Sequence, residues 1–309
     1  MQREKGLGRI TLFKEPMPNI DGIIVHFEKT PFDIICPHFW ELRWAFGCPF
    51  DCAYCYLQGT GRGNKNPRYR PINKVIRAID RAFKHEYFLK HPSIFNSGEL
   101  SDSLMNPRYM KQIADFFETQ DSHKLLLLTK SHRVGWLTKE LRKQTVASFS
   151  LNATEVWRRW ENRSSSPQHR IDAAKQLTEL GYEVRIRIDP IFPIENWKEH
   201  YENLIYSLFS ELSSDPDRIT LGTPRGLAKT LMFAKDRSWE RIAFTDTPEY
   251  TGWGKKAPKS LRKEIYTFFY DKLDTLGFGK SRIVMCKETK SMWEELGLNW
   301  NSCSCNCVW

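Results

Sequence analysis

Three cysteines stand close together in the segment Gly-Cys-Pro-Phe-Asp-Cys-Ala-Tyr-Cys, at the spacing C-x3-C-x2-C. They are Cys48, Cys52 and Cys55. Three thiolates on one short loop can bind three irons of a 4Fe–4S cube and leave the fourth iron open to a small molecule. Zinc sites usually draw on paired C-x2-C knuckles or Cys/His sets, and the flanking sequence offers neither. The spacing therefore favours an iron–sulfur cluster.

The composition of the chain suits an anionic partner. Its 309 residues carry a net charge of +10 and are 13% aromatic, including 11 Trp. A basic chain with many aromatic side chains fits a polyanion whose bases can be stacked upon, although a basic enzyme without such a partner can have the same composition. Basic residues concentrate at 61–70, soon after the cysteine loop, and again at 158–163 and 255–259.

The distribution of apolar residues and cysteines bears on the compartment. No stretch approaches the roughly 18 uninterrupted apolar residues of a membrane span. Residues 1–18 are charged and lack the apolar run of a signal peptide. Seven of the eight cysteines fall in two groups, which favours metal ligation in a reducing compartment over disulfides. We expect a soluble cytoplasmic protein without a membrane partner.

Helical and extended segments alternate along the chain. Strands are expected at 39–46, 93–100, 124–130, 146–151, 183–188, 218–221 and 282–286. Helices are expected at 72–83, 107–119, 134–142, 168–180, 196–212, 260–276 and 291–296. This alternation indicates an α/β fold built from right-handed βαβ units. Such folds gather their sites at the carboxyl ends of the strands, and the irregular segment 225–258 would cover that end.

The cysteine run resembles the signature of the radical SAM enzymes. Short segments at the expected strand ends resemble the spore photoproduct lyase family in their order: 98–103, 128–130, 149–152 and 189–191. The resemblance covers roughly 39–288. It implies that the open iron of the cluster binds S-adenosylmethionine (SAM), and that electron transfer releases a 5′-deoxyadenosyl radical. The fold it implies is a partial (β/α)6 TIM barrel of radical SAM type with a Cys-rich C-terminal extension.

The same resemblance suggests how the chain is divided. Residues 1–38 would form an N-terminal extension, and 39–224 the partial barrel. The segment 225–288 would contain a barrel-capping excursion, a helix and the last strand. The Cys-rich tail would comprise 289–309.

The resemblance also implies the reaction. The expected substrate is a nucleobase in DNA, flipped out of the stack for photoproduct lyase-like repair. An external one-electron donor of the flavodoxin or ferredoxin type would reduce the cluster. The family carries a hydrogen-donating Cys at the end of the second strand, but residues 94–98 contain none. The alternatives are radical SAM modification of a nucleotide, peptide or small metabolite, and a non-catalytic Fe–S or zinc protein that binds nucleic acid.

Polar residues at the strand ends are the candidates for binding SAM. Ser97, Ser150 and Asn152 could hydrogen-bond its methionine and ribose ends, and Glu99 could accept from the ribose hydroxyls. Lys130 could pair with the SAM carboxylate, as the resemblance implies. A solvated strand end or a helix cap would give the same residue types.

Two further pairs of residues leave alternatives open. Arg185 and Arg187 share one face of their strand and could bind a carboxylate or phosphate, or form ion pairs with neighbouring acids. Arg187 is the candidate for cofactor binding. Tyr54 and Tyr56 flank Cys55 and are candidate catalytic residues that could shuttle a hydrogen atom, or they could pack beside the cluster.

The C-terminal tail carries the second group of cysteines. Cys303, Cys305 and Cys307 stand at C-x-C-x-C, and Cys286 precedes them on an expected strand. Four thiolates could hold a second 4Fe–4S cluster or a zinc ion. Alternatively, a tail thiol such as Cys305 could donate hydrogen at the mouth of the site, a pair could form a redox-active disulfide, or the tail could have no role.

Overall fold

The computed structural model describes residues 17–245 and 247–309, with the backbone alone at Ser302. Its strands are β1 (Ile24–Phe27), β2 (Ile34–Ile35), β3 (Phe39–Leu42), β4 (Ala45–Phe46), β5 (Arg68–Tyr69), β6 (Ile94–Asn96), β7 (Lys124–Thr129), β8 (Thr145–Leu151), β9 (Glu183–Ile188), β10 (Arg218–Leu221), β11 (Glu249–Thr251), β12 (Gly254–Lys256), β13 (Ile283–Met285) and β14 (Glu288–Thr289).

The helices of the described residues are α1 (Leu57–Thr60), α2 (Ile72–Phe83), α3 (Glu86–Lys90), α4 (Pro107–Phe117), α5 (Thr154–Trp160), α6 (Pro167–Glu179), α7 (Trp197–Glu211), α8 (Ala228–Phe233), α9 (Ser238–Phe244), α10 (Lys259–Thr275) and α11 (Lys290–Glu295). None of them combines the length and the apolar character that crossing a membrane requires.

One mostly parallel sheet organises the molecule. In the part of the chain that the structure describes, it has eight strands in the order β1-β3-β6-β7-β8-β9-β10-β13. Every pairing from β3 to β13 is parallel, and β1 adds an antiparallel edge. All seven residues of β8 are buried, as in a parallel strand covered on both faces. The expected α/β architecture is confirmed, and the carboxyl ends of its parallel strands meet at one edge.

Strand predictions hold best where the apolar run is unbroken. Strands β9 and β10 have the expected bounds, and β7 ends one residue early. The expected strand 39–46 is wrong as one element. It divides into β3 and β4 because the chain turns after Leu42 and then pairs Ala45 with Tyr69 of β5. Strand β1, which lies in the segment expected to be an extension, was missed.

The helix expected at 134–142 is wrong, since the structure has turns there. Side chains take the carbonyl groups of Leu137 and Glu140 in this segment. The Tyr182 hydroxyl donates to the carbonyls of Leu137 and Glu140 at 2.9 and 2.8 Å. The Arg142 guanidinium also donates to the Glu140 carbonyl, at 3.2 Å. These tertiary contacts compete with the helical ladder that the apolar spacing predicts.

The segment 225–258 contains α8, α9 and the β11–β12 hairpin. Helix α8 lies against α1, the short helix that follows the cysteine loop. The two approach so closely that a Cβ at Gly59 would lie 2.6 Å from the Thr230 amide nitrogen. A glycine is therefore required there, and this contact holds the segment beside the cysteine loop.

The C-terminal residues 303–309 cross one face of the sheet. The Arg185 guanidinium of β9 donates to the carbonyls of Asn306 and Val308, both at 2.7 Å. The Arg218 guanidinium of β10 donates to the Cys305 carbonyl at 2.9 Å. Further contacts come from Asn96 of β6 and Ser148 of β8. Charged donors from two strands and neutral donors from two others thus hold the tail against the sheet.

Candidate active site

The cysteine loop begins at a glycine that no other residue replaces easily. Gly47 has a φ of +88°, and a Cβ there would lie 2.6 Å from the Lys65 carbonyl oxygen. The Lys65 ammonium is buried and binds both the Cys52 carbonyl at 3.1 Å and the Asp51 carboxylate at 2.7 Å. The loop is therefore fixed through its backbone and Asp51.

The three loop sulfurs are suited to binding metal. Backbone amides of Phe50 and Leu57 hydrogen-bond to the sulfurs of Cys48 and Cys55. Burial raises the pKa of all three thiols, that of Cys52 to about 12. They are consequently protonated at neutral pH and lose their protons on binding metal.

A cube distributes its ligands, because each thiolate binds a different iron. Among the described residues, no three His, Cys, Asp or Glu side chains converge on a single ion. The fit of the loop to a cluster rests on the chemistry of its donor set, three free thiols on one short loop.

A cavity of about 260 Å³ opens beside the loop at the carboxyl ends of the parallel strands. Cys52 and Cys55 line it, but Cys48 does not. Its other polar and aromatic lining includes Phe27, Tyr54, Tyr56, Glu99, Lys130, Ser150, Arg187, Asp189, Arg225, Trp239, Trp253 and Lys287. A larger depression of about 670 Å³ lies beside α2 and contains no sulfur. The smaller cavity is therefore the candidate active site, because it contains the loop cysteines.

Lys130 reaches the cavity from the end of β7. Its ammonium lies 3.1 Å from the Glu161 carboxylate but makes no hydrogen bond within the described residues. Glu161 is fully buried and also pairs with Arg170 at 3.0 Å. Burial favours protonation of Glu161, but Lys130 and Arg170 lower its pKa to about 2. One carboxylate thus faces two cations, and the ammonium retains donors for an anionic ligand.

Asp102 fixes the backbone that carries Lys130. Its buried carboxylate accepts hydrogen bonds from the Thr129 hydroxyl at 2.7 Å and the Lys130 amide at 2.6 Å. Burial raises the pKa of Asp102. It does not line the cavity, so its role is to position Lys130.

Glu99 lies in the cavity and is paired with Lys287 at 3.2 Å. The Lys287 ammonium also lies 4.9 Å from the Trp253 ring centre and 5.5 Å from that of Phe27. Lys287 has a φ of +51°, which is unusual for a side chain of this size. The backbone, a carboxylate and two aromatic rings together hold this lysine in place.

Arg187 and Arg225 share one carboxylate. Asp189 accepts from Arg187 at 2.5 Å and from Arg225 at 2.7 Å. Burial favours protonation of Asp189, but Arg225 and then Arg187 lower its pKa well below the usual range. Gly222 makes room for this carboxylate, because a Cβ there would lie 2.5 Å from its Oδ1 atom.

Several of the residues expected in the site lie together. Glu99, Lys130, Ser150 and Arg187 line the cavity with Tyr54 and Tyr56. The Ser150 hydroxyl has no hydrogen-bond partner in the described part of the chain. These side chains come from different strand ends, as expected for a parallel sheet.

Ser97 and Asn152 lie behind the cavity wall. The Ser97 hydroxyl is hydrogen-bonded to the Ser103 hydroxyl and the Leu126 carbonyl, both at 2.8 Å. Asn152 is fully buried, and its amide donates to Glu161 and to the Pro190 carbonyl, both at 2.9 Å. Neither residue lines the cavity.

Both candidate tyrosines are hydrogen-bonded. The Tyr54 hydroxyl donates to the Glu161 carboxylate, and the Tyr56 hydroxyl donates to the Glu99 carbonyl. Burial raises the pKa of both phenols. They are neutral donors held in fixed positions on the cavity wall.

The tail cysteines do not line the cavity. Cys305 and Cys307 are buried, and the Asn96 amide lies 3.4 Å from the Cys307 sulfur. The Cys305 thiol donates to Cys307, which lowers the pKa of Cys307. The Cys286 sulfur lies 3.3 Å from the Arg187 guanidinium, directly beside the cavity lining.

The sequence patterns do not identify three residues of the site. They are Glu161, Arg225 and Lys287, each of which pairs with a group remote in the chain or in an irregular segment. The Glu99–Lys287 pair spans 188 positions. Sequence spacing gives no sign of such a pairing. The one signal in the sequence is that charged residues stand next to predicted strand ends.

The fold and the site define an α/β protein with a mostly parallel sheet and a cysteine-lined cavity at the carboxyl ends of its strands. The chain matches the family model described as spore photoproduct lyase over residues 27–221. It therefore belongs to the spore photoproduct lyase family of enzymes, as its motifs indicate.

Individual relatives agree with this assignment. The chain is 30% identical to spore photoproduct lyase of Clostridium acetobutylicum over 173 residues, which are 54% of this chain and 50% of the relative. It is 31% identical to that of Bacillus subtilis over 185 residues, 57% of this chain and 52% of the relative. The chain thus spans about half the length of the curated relatives it matches.

Solved structures share the fold. Spore photoproduct lyase complexed with dinucleoside spore photoproduct has a TM-score of 0.66 and 20% identity, covering 80% of this chain and 75% of that chain. Streptococcus suis SuiB bound to S-adenosylmethionine has a TM-score of 0.51 and 15% identity, covering 81% and 50%.

Proposed function

We propose that this protein is a radical SAM enzyme in which Cys48, Cys52 and Cys55 hold a 4Fe–4S cluster. The observation that carries the proposal is the cysteine loop, two of whose sulfurs line the same cavity as the Lys130 ammonium. When bound, the cluster and SAM supply one-electron cleavage of the sulfonium and a 5′-deoxyadenosyl radical that abstracts hydrogen from the substrate. An external flavodoxin- or ferredoxin-type protein is the proposed electron donor.

The side chains of the cavity would bind and orient SAM. Lys130 donates to its carboxylate, while Glu161 and Asp102 keep the ammonium and its backbone in place. The unpartnered Ser150 hydroxyl is available to the methionine or ribose end. Glu99 would accept from the ribose hydroxyls, at the cost of weakening its pair with Lys287.

Ser97, Asn152 and Arg187 complete the proposed cofactor set in different ways. Ser97 and Asn152 act from behind the wall, since their polar atoms already have protein partners. Arg187 lines the cavity and can contact a bound anion directly.

The proposed catalytic set consists of Tyr54, Tyr56 and Cys305. The two phenols exclude water beside Cys55, and their hydroxyls donate to the Glu161 carboxylate and the Glu99 carbonyl. A hydrogen atom from Cys305 would need a relay to reach the substrate, because neither Cys305 nor its neighbour Cys307 lines the cavity.

The proposed substrate is a nucleobase in DNA, converted in a photoproduct lyase-like repair reaction. Family membership supports this proposal, as does the structural neighbour that is complexed with dinucleoside spore photoproduct. The net charge of +10 and the basic segments 61–70 and 255–259 suit a phosphate backbone. A base flipped out of the stack could enter the cavity mouth.

The proposed architecture is a partial (β/α)6 barrel at 39–224, preceded by an extension at 1–38. The segment 225–288 would cap the barrel and supply its last strand, and 289–309 would form the Cys-rich extension. The parallel sheet, with the tail crossing one face, supports this division. Cys286, Cys303, Cys305 and Cys307 remain the ligands available for a second cluster or zinc.

The test uses anaerobically reconstituted protein with SAM and a chemical reductant. We expect 5′-deoxyadenosine from SAM, and restored thymines in irradiated thymine oligonucleotides. Cleavage of SAM without any change in the oligonucleotides would exclude the repair reaction and retain the radical SAM chemistry. Failure to form 5′-deoxyadenosine would favour a non-catalytic Fe–S or zinc protein that binds nucleic acid.

A second candidate is radical SAM modification of another nucleotide, a peptide or a small metabolite. It is favoured by the sulfurs of the cavity, since Cys52 and Cys55 are the cysteines that line it within the described residues. Both are assigned to the cluster, and residues 94–98 contain no Cys. A reaction that needs no thiol donor at the cavity would fit this arrangement.

A further inference from the structure

The cavity contains a pair of arginines that the binding of SAM by Lys130 does not use. Arg187 comes from β9 and Arg225 from the segment after β10, and both line the cavity. Their side chains are mostly buried, with exposed fractions of 11% and 17%. Two buried guanidinium groups need negative charge nearby to compensate them.

The carboxylates around the two arginines leave one positive charge without a partner. Lys287 is paired with Glu99, and this pair is neutral. Asp189 is the carboxylate that both arginines share. The Cys286 sulfur lies 3.3 Å from the Arg187 guanidinium, and the Cys286 carbonyl accepts from Arg225 at 3.3 Å, so neither contact adds a second carboxylate. A buried charge without a counterion is unfavourable, and an incoming anion would relieve it.

Among the described residues, none of the tail lines the cavity, and the Cys307 sulfur contacts the Asn96 amide instead. The tail therefore leaves the cavity side of the arginines uncovered.

The arginines also keep unused donors. Each guanidinium has five N–H groups. Arg187 uses Nε and Nη2, and Arg225 uses Nη1 and Nη2, in the bonds to Asp189 and Cys286. Within the described residues, Nη1 of Arg187 and Nε of Arg225 have no partner. Planar donor groups of this kind match the oxygens of a phosphate.

We infer that Arg187 and Arg225 form a phosphate subsite, so that the substrate is held by its backbone phosphodiester as well as by its base; Arg187 then serves the substrate rather than the cofactor. The inference rests on the proposed function, because it takes Lys130 as the site of the SAM carboxylate. Asp189 keeps the two guanidinium groups together, and Gly222 provides the space for its carboxylate.

The test compares two probes that differ in one charge: thymidylyl-thymidine and its uncharged methylphosphonate analogue. Their dissociation constants are measured on the reconstituted protein with S-adenosylhomocysteine bound, which does not react. We expect the phosphodiester to bind about tenfold more tightly, as one charge-assisted contact would give. Arg225→Gln should remove the preference, and Arg225→Lys should keep part of it.

Arg77→Gln is the matched control, because Arg77 is exposed on α2 and does not line the cavity. It should keep the preference. An equal affinity for the two probes, or no binding of either, overturns the inference. So does an Arg225→Gln variant that keeps the preference but loses affinity for SAM, which would assign the pair to the cofactor. Formation of 5′-deoxyadenosine, measured on the same preparation, reports separately on the proposed function.

Discussion

The cysteine loop and the C-terminal tail carry the same side chain in opposite settings. In the loop, backbone amides hydrogen-bond to two of the sulfurs, and Cys52 and Cys55 face the cavity. In the tail, Cys305 donates to Cys307, and both are buried against the sheet. Two of the loop sulfurs therefore line the cavity, whereas the tail sulfurs pack against the sheet outside it.

The largest effect is expected in the loop. Cys52→Ala should remove a cluster ligand and reduce 5′-deoxyadenosine formation to the level of protein without iron. Cys305→Ala is the matched change in the tail and should keep SAM cleavage. Product is quantified by chromatography after anaerobic reconstitution. If both variants lost SAM cleavage equally, the distinction between the two groups would fail.

The tail should matter for stability. Arg185→Met removes the charged donors to the carbonyls of Asn306 and Val308. Because hydrogen bonds to charged groups are each worth about 1.5–3 kcal/mol, we expect the free energy of unfolding to fall by about 4 kcal/mol. Urea titration measures the change, and Arg133→Met, at an exposed loop residue, is the control. A loss no larger than in the control would mean that the tail is not anchored in this way.

The loop side of the cavity should be sensitive to acid. Glu161 has a pKa of about 2 instead of 4.5, so its contribution to stability is present above pH 4.5 and disappears as the pH falls towards 2. A shift of this size corresponds to a loss on the order of 3 kcal/mol. The free energy of unfolding is measured from about pH 6 to about pH 2. Glu161→Gln should flatten the profile, and identical profiles would contradict the assignment.

The regular parts of the fold could be predicted from the sequence. Strand β9 follows from the alternation of Val184, Ile186 and Ile188, and β7 from its run of leucines. The cysteine loop and Lys130 were predicted because local motifs specify them. Glu161 could not be predicted, since its role depends on Lys130 and Arg170 meeting it in three dimensions.

A moderate effect is expected at Lys130. Lys130→Met should weaken SAM binding by about 30-fold, because a charged hydrogen bond to the carboxylate is lost. Lys124→Met is the control at the other end of β7, where Lys124 pairs with Glu183 at 2.7 Å. Equilibrium binding of SAM to the reconstituted protein gives both values. An unchanged affinity in Lys130→Met would move the carboxylate to another cation of the cavity.

The smallest effect is expected for the iron content of a tail variant in which Cys303, Cys305 and Cys307 are all changed to Ala. The Asn96 amide contacts the Cys307 sulfur at 3.4 Å, and Arg187 contacts the Cys286 sulfur at 3.3 Å. A cluster on these sulfurs would have to displace both groups. We therefore expect about four iron per chain in the wild type and in the variant, from one four-iron cluster. About eight iron falling to about four would instead establish a second cluster, and the tail would then be a ligand set like the loop.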